Sequence, residues 1–106
     1  MPKFLVQGKY VGEGVKGLIR EGGSGRRAAV EKLYASAGGK VEAFYYAFGS
    51  TDVFVIGDLP DNVSAAALSL AVKGTGAVDV TLTPLLTPEE IDAAGKKSID
   101  YRAPGK

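Results

Sequence analysis

A chain of 106 residues provides for one domain with a modest core. Thirteen Lys and Arg against twelve Asp and Glu leave a formal net charge of +1, which excludes a general electrostatic attraction to nucleic acid or to an anionic membrane. Cys and His are both absent, which removes disulfides, thiolate nucleophiles, imidazole bases and the usual zinc, copper and haem ligands, so no metal or cofactor is expected.

The opening Met1-Pro2-Lys3 runs straight into a short apolar segment, without the stretch that a signal peptide or membrane span needs, so a cytoplasmic protein is expected. Lys3 to Tyr10 alternates Phe4, Val6, Gly8 and Tyr10 against Leu5, Gln7 and Lys9, the period of a first strand. Gly12, Gly14 and Gly17 then loosen the start of a helix that carries Val15, Leu18 and Ile19. Gly22 and Gly23 interrupt it, and Ser24 is placed to cap a better helix reaching Ala37, with Val30, Leu33 and Ala37 along one side.

Gly38 and Gly39 end that helix, and Val41 to Phe48 and Asp52 to Leu59 follow as a hairpin joined by Gly49-Ser50-Thr51. Pro60 and Asp61 open a second long helix that runs to about Lys73, with Gly74 where a left-handed cap residue is wanted. Val78 to Thr83 alternates again. Thr87-Pro88-Glu89-Glu90 is a capping box with Pro at the first helical position, so residues 1–86 form the domain and 87–106 add a short helix and a tail. Ile99 and Tyr101 suit docking on a neighbouring subunit better than a solvated tail.

The order strand, helix, strand, strand, helix, strand predicts a ferredoxin-like α+β domain, a four-stranded antiparallel sheet with both long helices on one face. The other face of such a sheet normally alternates with polar residues. Here Glu42, Phe44, Tyr46 and Phe48 oppose Val41, Ala43, Tyr45 and Ala47, and Val53 and Val55 oppose Phe54 and Ile56, so neither face is polar. An exposed aromatic band is a patch soluble monomers avoid, which predicts two sheets packed face to face in a dimeric α/β barrel. Phe44 or Tyr46 is then the expected partner-facing residue.

Several segments carry a resemblance: Glu13-Gly14-Val15-Lys16-Gly17, Arg26-Arg27-Ala28-Ala29-Val30-Glu31-Lys32-Leu33, Gly38-Gly39-Lys40-Val41, Phe48-Gly49, Ala65-Ala66-Ala67-Leu68 and Thr87-Pro88-Glu89-Glu90. Over nearly its whole length the chain is similar to the GYD-domain family. The resemblance implies a ferredoxin-like dimeric α/β barrel, in a group that includes cofactor-independent monooxygenases, decarboxylating and dechlorinating enzymes, and ligand sensors. The chain keeps Gly49 and Asp52 of the hairpin that gives the family its name but has Thr51 where the tyrosine is expected.

Arg26 and Arg27 stand in a first helical turn, where the macrodipole disfavours cations by about 0.3–1 kcal/mol each, so they invite an anion. The competing role is ion pairing, Arg27 with Glu31 and Arg26 with Glu21 or Glu42. Asp52 enters an apolar strand and is a candidate base, although aspartate also serves turns by accepting backbone hydrogen bonds. Tyr10, Tyr45 and Tyr46 are placed to orient a ligand or simply to pack.

Two rival readings fail on their own terms. Gly12, Gly14 and Gly17 have dinucleotide-fingerprint spacing, but that motif needs a parallel sheet and the hairpin demands an antiparallel one. An RNA-recognition module shares the strand order, yet Asp52-Val53-Phe54-Val55-Ile56 lacks its basic-Gly-aromatic opening. The expectation is an oligomer that binds a small apolar or aromatic molecule with an anionic group through Tyr10, Arg26, Arg27 and Tyr46, with no nucleic-acid or membrane partner. The alternative is a cofactor-free monooxygenase- or isomerase-like enzyme using Asp52.

Overall fold

In the computed structural model, which describes residues 1–106, the first alternating segment forms β1 (Lys3–Tyr10) and buries Phe4, Val6, Gly8 and Tyr10 on one face. The chain continues through α1 (Glu13–Ser36), β2 (Lys40–Tyr46), β3 (Val53–Asp58), α2 (Asn62–Lys73), β4 (Val78–Leu85) and α3 (Pro88–Gly95). The strands form one antiparallel sheet in the order β2-β3-β1-β4, the ferredoxin-like α+β arrangement. Tyr34 of α1 and Ala65 and Leu68 of α2 are buried in one cluster with Phe4, Val6, Val53, Val55 and Val80, so both long helices cover the same face.

Local chemistry explains most of the element ends. Asp61 caps α2 by accepting a 2.8 Å hydrogen bond from the Ser64 N–H. At α3 the Thr87 hydroxyl accepts from the Glu90 N–H at 3.1 Å, and the Glu90 carboxylate accepts from the Thr87 N–H at 2.9 Å. Gly74 is right-handed, contrary to expectation, and the left-handed residue is Gly76, with φ 73°. β4 runs on through Pro84 to Leu85 because it is an edge strand, where a missing N–H costs no ladder bond.

α1 is two helical segments joined at Gly22, whose φ of 80° and ψ of 160° lie where other residues are strained. Ser24 therefore sits inside the second segment rather than capping it, because the backbone turns two residues earlier than a capping hydroxyl would require. Gly57 on β3 has a different purpose. A Cβ there would stand 2.6 Å from the Tyr34 ring and 2.8 Å from the Lys40 carbonyl oxygen, so only a bare backbone lets that ring rest on the strand.

A register shift in β2 corrects the expected faces. Val41 lies opposite Gly57 but Ala43 lies opposite Ile56, so Glu42 occupies a bulge and its carboxylate pairs with Lys3 at 3.2 Å. Val41, Phe44 and Tyr46 consequently share the helix-covered face with Val53 and Val55. Phe44 and Tyr46 are thus not on the bare face. That face carries Leu5, Ile56 and Ala43 in one row and Gln7, Phe54 and Tyr45 in the next, with Tyr45 71% exposed.

From Leu86 onward the chain leaves the sheet as an arm in which α3 buries no residue and Ile91, Ile99 and Tyr101 are exposed. The radius of gyration, 16.8 Å, exceeds the roughly 13 Å of a compact chain this long, as such an arm requires. No helix is long and apolar enough to cross a membrane.

Candidate functional site

Tyr10, at the end of β1, turns its side chain towards the helices and lines two adjoining hollows. One is a cleft of about 440 Å³ between the long helices, where Tyr10 meets Leu18, Glu21, Arg26, Leu33 and Val78. The other, about 340 Å³, brings Tyr10 and Leu18 together with Gly23, Tyr46 and Asp52. A larger groove of about 530 Å³ runs between α2 and the edge strand β4, where Asn62, Ser69 and Thr81 supply polar groups but Lys73 is the one ionisable residue.

Three of the expected site residues thus meet: Tyr10, Arg26 and Tyr46. The Tyr46 hydroxyl donates to the Gly23 carbonyl oxygen at 2.9 Å, and its ring meets Phe44 edge-on at 5.2 Å. Partial burial, then the adjacent Tyr10 phenol, push the Tyr46 hydroxyl up to about 12, while the Arg26 and Arg27 guanidinium groups pull the other way. Arg26 is 29% exposed and lies 3.6 Å from Glu21, a loose pair that leaves most of its five N–H donors for another acceptor. The pairing considered between Arg26 and Glu42 does not form, because the bulge hands Glu42 to Lys3. Arg27 makes no ion pair with Glu31 and borders a separate shallow groove on Tyr46's other side, with Ser24 and Phe44.

Asp52 stands beside this group but is occupied. Its N–H donates to the Gly8 carbonyl at 2.9 Å, one carboxylate oxygen accepts from the Tyr10 N–H at 2.9 Å, and the other lies 3.9 Å from the Lys9 ammonium. The side chain clasps the end of β1 to the start of β3.

Tyr34 was not among the expected site residues, although its place in the stripe Val30, Leu33, Tyr34, Ala37 marks the buried side of α1. It is 1% exposed and its hydroxyl has no protein hydrogen-bond partner. Burial pushes that hydroxyl up to about 12 from an ordinary value of 10.0. Above pH 10 an unfolded chain releases this proton and the folded one keeps it, so stability is full below pH 10 and falls as pH rises through 12. The fall due to Tyr34 is of order 2–3 kcal/mol, with a smaller share from the better-solvated Tyr46. Denaturant titrations at pH 9 and pH 12 should show a shallower loss for Tyr34→Phe than for the unsubstituted protein. Parallel losses in the two would contradict this assignment.

The strand order, the shared helix face and the cleft at the end of β1 define a ferredoxin-like α+β domain with a partly polar, partly aromatic hollow. The family model for the GYD domain matches residues 4–94, and the chain belongs to the GYD domain family. No curated protein and no solved structure matches the chain.

Proposed function

We propose that the protein is a homo-oligomer that binds a small molecule, an apolar or aromatic body with one anionic group, in the cleft beneath α1. The observation that carries this reading is the convergence of Arg26 with Tyr10 and Leu18 around a hollow of about 440 Å³, a size within the usual range for ligand pockets. Arg26 supplies the planar fork that suits a carboxylate or phosphate, and Tyr10 and Leu18 supply surface for the apolar body. Arg27, across Tyr46, adds positive field. Two observations favour binding over the cofactor-free enzyme. The Asp52 carboxylate is tied to the Tyr10 N–H at the strand junction, with its second oxygen 3.9 Å from the Lys9 ammonium, and Tyr46 holds its proton to about pH 12, so neither offers the cleft a free base.

The partner we infer is a second copy of this chain, seated on the bare sheet face to close a dimeric α/β barrel. Leu5, Ala43, Phe54 and Ile56 form an apolar patch on that face beside Gln7, Thr81 and Thr83, with Tyr45 exposed at its edge, and Ile99 and Tyr101 of the arm suit the same neighbour.

Phosphate or benzoate at a hundredfold excess over its Kd should stabilise the protein by about 2.7 kcal/mol, which for a domain this small raises Tm by roughly 10 °C or more. Arg26→Ala is expected to abolish most of that rise while leaving Tm without anion equal or slightly higher, since the dipole opposes a cation there. No anion effect on the unsubstituted protein, together with a lower Tm for Arg26→Ala, would reduce Arg26 to the surface partner of Glu21.

A further inference from the structure

Next to the cleft, behind Tyr10, lies a small chamber of about 60 Å³ between the sheet and the long helices. It shares Tyr10, Arg26, Leu33, Val72 and Val78 with the cleft, so the two adjoin, with Arg26 common to both. Its wall is otherwise almost wholly aliphatic or aromatic, with Val6, Phe44 and Val55 from the sheet and Val30 and Leu68 from the helices. Tyr34 also lines it. Helical side chains lean towards their own N-terminus, so Tyr34 reaches back along α1 in the direction of Val30 and Arg26.

A fully buried hydroxyl without a partner is costly, and in an otherwise apolar core it is worth keeping only if something completes it. A phenylalanine at this position would fill the same place over Gly57. The chamber is too small for a whole ligand and larger than the roughly 10–15 Å³ needed for one water, which is the size of a ligand's tip.

Resting on the binding reading above, we propose that Tyr34 is a specificity-determining residue: its hydroxyl hydrogen-bonds a polar atom at the end of the ligand remote from the anionic group. The ligand class is then narrowed from apolar anions to hydroxy- or oxo-carboxylates, with the carboxylate at Arg26 and the second oxygen at the closed end. The chain distinguishes these from plain carboxylates because the latter leave the Tyr34 hydroxyl unpaired.

The test compares two matched pairs of probes by calorimetry: 4-hydroxybenzoate with benzoate, and 6-hydroxyhexanoate with hexanoate. The unsubstituted protein should prefer the hydroxylated member of at least one pair by about three- to tenfold, the value of one neutral hydrogen bond. Tyr34→Phe should erase that preference while binding the plain acid equally well or better. Equal binding of both members by the unsubstituted protein, or a preference that survives Tyr34→Phe, overturns the role of Tyr34 and leaves the anion site standing. Failure of all four acids to bind overturns the binding reading itself and this proposal with it.

Discussion

If the proposed dimer forms through the bare sheet face, Ile56→Asp is expected to turn it into folded monomers. Ile56 lies between Leu5 of β1 and Ala43 of β2, in the centre of the bare sheet face. In an isolated chain the new carboxylate faces water and costs little. Between two apposed sheets it is buried without a partner, which costs several kcal/mol, enough to move a micromolar dimer to millimolar dissociation. Light scattering at micromolar concentration should report a fall to the monomer mass of 11.0 kDa, with circular dichroism unchanged. An oligomer for the variant, or a monomer for the unsubstituted protein, would refute the barrel. Charges at Phe44 or Tyr46 are a different experiment, because both lie on the helix-covered side of the sheet, Phe44 packed against the core and Tyr46 at its exposed margin.

Leu59→Ala should cost about 2–5 kcal/mol, the range for deleting a buried leucine side chain. Leu59 is 0% exposed, and its N–H donates to the Pro2 carbonyl at 3.1 Å, tying the N-terminus to the end of β3. Its side chain is packed so closely over Gly39 that a Cβ there would stand 2.8 Å from a Leu59 methyl. With thirteen residues buried, little surrounding mass is available to collapse into the void. The loss is a large share of the 5–15 kcal/mol typical of a whole domain. Urea unfolding should therefore show a much lower midpoint, whereas Leu70→Ala, at a side chain 71% exposed, should change stability by no more than about 0.5 kcal/mol. A loss at Leu59 as small as that at Leu70 would contradict the packing described.

Strand order, the helix pair and the capping box at Thr87 were legible because alternation and capping chemistry are local. The bulge at Glu42 was not. Neither Gly nor Pro marks it, and it arises where β2 meets β3 and Lys3 recruits a carboxylate. That single extra residue put Phe44 and Tyr46 on the helix-covered face, Phe44 against the core and Tyr46 at its margin, and left Ala43 and Tyr45 on the bare face. Which of Gly74 and Gly76 would turn left-handed depended likewise on how α2 meets β4. In the site, Tyr10, Arg26 and Tyr46 were chosen for unrelated local reasons and are brought together by the sheet order. For Asp52 the sequence favours a backbone-accepting role over that of a base, but not which N–H it takes, since its bond to the Tyr10 N–H spans 42 positions along the chain. Tyr34 was overlooked because the apolar stripe that holds it reads as packing, and an unpaired hydroxyl is visible only once its surroundings are known.

The seat of Tyr34 on Gly57 also bears on how this sequence can drift. A side chain acquired at 57 has nowhere to go while the ring is present, and a ring lost from 34 leaves a hole that glycine cannot fill. The Lys40 carbonyl oxygen would also crowd any side chain at 57, so glycine is required there whatever stands at 34, whereas 34 can change if its replacement fills the space of the ring. The two positions, 23 apart in the chain, are held on unequal terms: the strand's own backbone fixes one, and only packing fixes the other.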